Sequence, residues 1–165
     1  MSVTVRKARM ADVKYIHKLL YGCAQRGQLL ARSYSSVYAA LRDFYVAENE
    51  NGELLGCCAL SICWEDLAEI RSLAVAEAHR GHGIGRALVT ACLDEARELG
   101  LRRVFALTYE VAFFTRLGYR QVEKNDLPQK VWTDCLNCPK FPDCDETAML
   151  IETGVEAPQP AEAGA

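Results

Sequence analysis

The chain has 165 residues, half of them hydrophobic, and a formal charge of −3 at pH 7. That length suits one domain with a substantial core, and the acidic balance argues against a general nucleic-acid binder, which carries a basic excess. No apolar run approaches the roughly 20 residues that cross a bilayer. The segment Met1 to Met10 holds three basic side chains but not the apolar stretch of a secretory signal. The expectation is a cytoplasmic protein with neither nucleic-acid nor membrane partners.

Taken in order, Val3 to Lys7 reads as a first strand. Asp12 to Tyr21 carries Val13, Ile16, Leu19 and Leu20 at helical spacing, and a weaker helix is expected over Tyr34 to Leu41. Phe44 to Ala47 and Leu54 to Ile62 read as strands, with the hairpin pair Asn51-Gly52 between them. Leu67 to Val75 is the next strand. A helix from Arg86 to Leu99 puts Leu88, Ala91, Cys92 and Leu99 on one face, with Gly100 as its stop. Val104 to Leu107 reads as a strand, Val111 to Leu117 as a short helix ended by Gly118, and strands are expected at Tyr119 to Glu123 and Ala148 to Glu152. Gly154 to Ala165 is Ala, Pro, Glu and Gly, and is expected to be a disordered tail after a domain of residues 1–153. Hairpins first and a βαβ unit later indicate a mixed α/β sheet with helices packed on it.

Between the Leu67–Val75 strand and the following helix lies Arg80-Gly81-His82-Gly83-Ile84-Gly85. Backbone N–H groups at a helix start converge and carry the positive end of the dipole, so this turn suits a phosphate. The alternating glycines do not fit the dinucleotide fingerprint G-x-G-x-x-G, and no Gly-Lys-Ser/Thr ending of a P-loop is present.

Arg80, Gly83 and Gly85, spaced R-x-x-G-x-G, instead resemble the pyrophosphate loop of the GCN5-related N-acetyltransferases. Val5-Arg6-Lys7-Ala8 with Asp12, Val13 and Ile16 is similar to that family's opening. Leu73-Ala74-Val75 resembles its central strand, and Phe113-Phe114-x-x-Leu117-Gly118-Tyr119 its late helix and strand. The resemblance implies an α+β fold whose mixed sheet has splayed strands and helices on both faces. It implies acetyl-CoA as cofactor, with pantetheine along Leu73, Ala74 and Val75 and pyrophosphate on Arg80, Gly81, His82, Gly83, Ile84 and Gly85. Dimers are common in the family, so a homodimer is one expectation.

Acyl transfer needs a base for the amine, a fixed donor for the thioester carbonyl and an acid for the thiolate. Glu69, four residues before Leu73, is the base candidate, and the amide of Leu73 or its neighbour the donor. The family's usual acid tyrosine falls at Phe114, which has no proton to give. Tyr109 is a substitute candidate, with Thr108 placing a water.

A finer likeness concerns the acceptor. Gly27-Gln28-Leu29-Leu30-Ala31-Arg32-Ser33, the pair Leu107-Thr108 with Phe113-Phe114, and Asp126-Leu127-Pro128-x-Lys130-x-Trp132 resemble the bacterial N-acetylglutamate synthases. The resemblance implies L-glutamate as the amine, at the first step of arginine biosynthesis, with Arg32 gripping a carboxylate. Ser33, Arg71 and Lys130 are further substrate candidates, as is Lys140. The arginine–serine pair that ends the longer synthases is missing, replaced by Asp145-Glu146-Thr147-Ala148-Met149. Other readings keep the fold but take a protein N-terminus, lysine, polyamine or drug amine, or make the chain a non-catalytic acyl-CoA sensor.

Cys135, Cys138 and Cys144 form a dense cluster. It reads as part of a zinc site, which ordinarily takes four ligands, as a redox pair, or as free thiols. Cys57, Cys58, Cys63 and Cys92 read as small core residues, and His17 as surface.

Overall fold

The computed structural model describes residues 2–128, 145–156 and 161. Its elements are β1 Val3–Lys7, α1 Val13–Gln25, α2 Tyr34–Ala39, β2 Phe44–Asn49, β3 Leu54–Trp64, β4 Leu67–Val75, α3 Ile84–Glu98, β5 Arg103–Thr108, α4 Val111–Arg116, β6 Arg120–Val122 and β7 Thr147–Glu152. The strands form one mixed sheet ordered β1-β2-β3-β4-β5-β7-β6. β4 and β5 run parallel; β1 with β2, β2 with β3, β5 with β7 and β6 with β7 run antiparallel. The parallel ladder is short, spanning Leu67–Glu69 of β4 and ending at Glu69↔Phe105.

The chain divides into two compact units, drawn from Met1–Ser61 with Ile70–Asp94 and from Ile62–Glu69 with Glu95–Ala165. In the first, successive β3 residues serve opposite faces, as strand geometry requires. Cys57 joins Val13, Ile16, Leu20 and Cys23 of α1, Val37 of α2, and Phe44 and Val46 of β2 in one buried cluster. Its neighbours Gly56 and Cys58 point the other way, to α3: the Cys58 thiol lies 3.7 Å from that of Cys92. Helices thus cover both faces of this unit, as expected.

Gly56 has no room for a side chain. A Cβ there would sit 2.9 Å from the Ala74 carbonyl oxygen, 3.1 Å from Leu88 Cδ1 and 3.3 Å from Ile84 Cγ2. Backbone cannot step aside as a side-chain tip can, so Gly56→Ala should cost roughly 1–3 kcal/mol by overpacking. Thermal unfolding should show a melting temperature lower by several degrees.

The start of α1 is tied down by a partly buried ion pair. Arg6 Nη1 donates to Asp12 Oδ2 at 2.8 Å and Nη2 to Oδ1 at 3.1 Å, Arg6 Nε lies 3.2 Å from Glu48 Oε1, and the Arg9 amide donates to Asp12 Oδ2 at 2.7 Å. The Arg6 hydrogen bond, against the opposing effect of burial, lowers the Asp12 pKa. A carboxylate depressed in the folded state stabilises above its unfolded pKa of about 3.9 and loses that contribution as pH falls through the folded value. Asp12→Asn should therefore lower stability by about 1.5–3 kcal/mol at pH 7. Denaturant titration should show the gap from wild type narrowing as pH drops below about 4.

The second unit has its own cluster of Leu67, Phe105, Leu127, Ala148 and Leu150. After β7, the Thr153 hydroxyl donates to the Leu101 carbonyl at 2.6 Å and Arg97 Nε to the Thr153 carbonyl at 3.0 Å. These contacts tie the residue after β7 to Arg97 of α3 and to Leu101.

Several boundaries differ from expectation. α1 runs four residues past Tyr21, through Gly22, because Cys23 continues the buried stripe of Ile16 and Leu20. α3 begins at Ile84, not Arg86. Leu99 does not share the buried face of Leu88 and Cys92: it lies past the last helical residue, 56% exposed. His17 is stacked on Tyr34, ring centroids 3.7 Å apart. Cys57, Cys58 and Cys92 are core residues as expected, whereas Cys63 is only half-buried.

Candidate functional site

The predicted phosphate turn lies in the first unit. Gly81 and Gly83 have φ of +80° and +79°, and a Cβ on either would meet no heavy atom within 4 Å. Only glycine adopts that backbone without strain, and the absent side chains leave open space before α3. The Gly83 carbonyl accepts from the Ala87 amide at 3.0 Å, so the helix begins directly after it. The first-turn N–H groups, Ile84 to Arg86, have no partner within the helix. Gly81, His82 and Gly83 are exposed and Ile84 is buried, anchoring the turn. These features fit a pyrophosphate held by backbone donors.

Arg80 reaches sideways: its Nη2 donates to Gln28 Oε1 at 2.7 Å. Arg26 lies 3.8 Å from Glu77 in a parallel ion pair. The turn and the segment after α1 are thus joined by two side-chain contacts. Nothing in the sequence around Gln28 points to this contact, because no local pattern marks a pair 52 positions apart. His82 Nδ1 lies 3.0 Å from the His79 carbonyl oxygen.

β4 holds the other cofactor candidates, Leu73, Ala74 and Val75. Just before them Ser72 has φ of +54°, the one non-glycine residue with positive φ among those described. A residue with a Cβ pays for this conformation, and such strain persists where surroundings enforce it. Here the Ser72 carbonyl accepts from the Cys57 thiol at 3.5 Å and its hydroxyl from Arg32 Nη1 at 3.3 Å. Burial pushes the Cys57 pKa up, so the thiol stays protonated as a donor.

Arg32 is half-buried. Its Nε donates to Ser36 Oγ at 2.9 Å and its guanidinium carbon lies 5.4 Å from the Phe44 ring centroid. Ser33 serves the local structure, since its hydroxyl accepts from the Ser36 amide at 3.0 Å and caps α2. Arg71 is half-buried on β4.

The remaining candidates belong to the second unit. Glu69 is half-buried where the parallel ladder ends. Thr108 is buried and its hydroxyl accepts from the Glu110 amide at 2.8 Å. Tyr109 is exposed, its hydroxyl donating to Asp145 Oδ1 at 2.7 Å; no sequence pattern announces this acceptor. Phe114, at the family's usual acid position, is buried edge-on against Tyr119, centroids 5.0 Å apart. Lys130, Lys140, Cys135, Cys138 and Cys144 lie outside the described residues. Among those described, no group of three or more His, Cys, Asp or Glu could hold a metal ion, and no helix is long and apolar enough to cross a membrane.

An N-acetyltransferase of Chlorobaculum tepidum, itself uncharacterised, is 47% identical over 88% of this chain and 94% of its own length. An amino-acid acetyltransferase of Mycobacterium tuberculosis is 42% identical over 79% of this chain and 75% of its own. The crystal structure of N-acetylglutamate synthase from Neisseria gonorrhoeae, complexed with coenzyme A and N-acetyl-glutamate, superposes with a TM-score of 0.83 at 26% identity. That match covers 93% of this chain and 35% of the larger synthase. With residues 14–119 matching the family's own pattern, the chain belongs to the acetyltransferase (GNAT) family.

Proposed function

We propose that the chain transfers the acetyl group of acetyl-CoA to the α-amine of an amino acid, and that the amino acid is L-glutamate. The observation that carries this reading is Arg32, half-buried over Phe44 and braced by Ser36 and Ser72. A guanidinium held in this way suits bidentate capture of a carboxylate. It lies in the segment that resembles the N-acetylglutamate synthases; the name of the N. gonorrhoeae protein supports the same acceptor, and that of the M. tuberculosis protein supports an amino acid. Acetyl-CoA would supply the activated thioester.

The chain's own residues then take separate roles. Gly81 to Gly85 and the first-turn amides of α3 hold the pyrophosphate, with Arg80 beside them. The backbone of Leu73 to Val75 lines the pantetheine arm, and the amide after the left-handed Ser72 polarises the carbonyl. Glu69 takes the amine proton through water. Tyr109 is the acid for the departing thiolate, its hydroxyl turning from Asp145 to give the proton, with Thr108 placing a water. Arg71 and Lys130 assist with the substrate's carboxylates.

Arg32→Ala should raise the KM for L-glutamate at least about tenfold while leaving the KM for acetyl-CoA within about twofold, the pattern of a residue that binds only the acceptor. Steady-state kinetics with each substrate varied checks this. A second reading changes the acceptor, favoured by the missing arginine–serine pair of the longer synthases, where this chain runs Asp145-Glu146-Thr147-Ala148-Met149. An acceptor panel of glutamate, glutamine, lysine peptide and polyamine separates the two: preference for glutamate supports the proposal, and preference for a non-amino-acid amine overturns it.

A further inference from the structure

We propose that Ser72 is a positioning residue for Arg32: a hydroxyl held out by a left-handed backbone on β4 fixes the guanidinium that meets the acceptor carboxylate. The inference rests on Arg32 being the carboxylate residue, and goes beyond it by assigning the cause of its placement. A serine at φ +54° inside a strand is costly. In regular strand geometry a side chain alternates faces with its neighbours, and the left-handed turn at Ser72 breaks that alternation. Leu73 and Ala74 follow at once. Two distant parts of the chain meet the residue: Cys57 of β3 donates to its carbonyl, and Arg32, in the segment before α2, to its hydroxyl.

Arg32 is held in turn at three points of its side chain. Ser36 Oγ takes Nε, the Ser36 carbonyl lies 3.5 Å from Nη2, and Ser72 Oγ takes Nη1. Ser36 belongs to α2 and Ser72 to β4. Ser36 holds Nε and the Nη2 side of the guanidinium; the Ser72 contact adds a hold on the Nη1 side. A bidentate fork depends on that orientation. The left-handed backbone at Ser72 thereby serves the acceptor end of the reaction through its hydroxyl.

The test uses Ser72→Ala, which removes the hydroxyl and keeps the Cβ, and Ser72→Gly, which removes the hydroxyl and relieves the backbone. Both should raise the KM for L-glutamate about tenfold, as loss of a hydrogen bond to a charged group would. kcat and the KM for acetyl-CoA should hold within about threefold. The gain in melting temperature expected for the glycine variant should not restore the KM. In an Arg32→Ala background neither change should add to the defect, because coupled residues are non-additive. In 15N-labelled protein the Arg32 Nη–H signals should shift and exchange faster with water in both variants. An unchanged KM together with an unchanged Arg32 signal overturns the proposal, as does a KM effect that persists in full without Arg32. If the wild type makes no N-acetylglutamate, the acceptor reading fails by itself, and the Arg32 signal alone decides whether Ser72 holds the guanidinium.

Discussion

Gly83→Val should weaken coenzyme A binding by about a hundredfold or more, enough to remove the thermal stabilisation that the ligand gives the wild type. Two effects combine. At φ +79° a β-branched residue is forced into a backbone region that costs an L-residue about 1–2 kcal/mol even without branching. Its methyl groups would also enter the open space before α3, where nothing lies within 4 Å of a Cβ. The first cost pushes the free turn out of its left-handed conformation, and regaining that conformation on binding can take up to about tenfold in affinity at 1.4 kcal/mol per decade; the second removes the seat itself. Isothermal titration with coenzyme A measures the effect, with circular dichroism confirming that the variant is folded. Unaltered affinity in a folded variant means that the pyrophosphate binds elsewhere.

Glu69→Gln should lower kcat by roughly two to four orders of magnitude, the range for loss of a general base, with the KM for acetyl-CoA close to wild type. The amide keeps the shape of the carboxylate and cannot accept the amine's proton. The residual rate should climb with pH, because the free-base form of the amine then needs no protein base. A kcat within threefold of wild type across the pH range would remove Glu69 from the chemistry and leave it a strand carboxylate at the end of the β4–β5 ladder.

The fold was legible where periodicity and turn chemistry acted locally. β1 and β4 have their expected bounds because β-branched and apolar residues run between clear breaks. The hairpin at Asn51-Gly52 forms because Asn49 Oδ1 accepts from the Asn51 and Glu53 amides at 3.0 and 2.9 Å. The turn before α3 was legible because its conformation needs glycines in sequence, and Gly81 and Gly83 take the left-handed backbone that only they adopt freely. What escaped was set by tertiary contact. Ser72 carries no glycine to announce its positive φ; the conformation is imposed through Cys57 and Arg32, 15 and 40 residues away. The Arg80–Gln28 and Tyr109–Asp145 contacts are likewise non-local. The first helix passes Tyr21 for a related reason: the glycine at 22 costs a helix only about 1 kcal/mol, and burial of Cys23 one residue on keeps the turn helical.

Acetyl transfer to glutamate is tested most directly by incubating purified protein with 13C-acetyl-CoA and L-glutamate and weighing the product by mass spectrometry. Mass detection is preferable to a thiol dye, since eight cysteines would raise the background. The arrangement around Arg32 predicts N-acetylglutamate carrying the labelled acetyl group, formed in proportion to enzyme and in excess of any product from lysine peptide or polyamine. Coenzyme A binding with no labelled N-acetylglutamate at any glutamate concentration would contradict it.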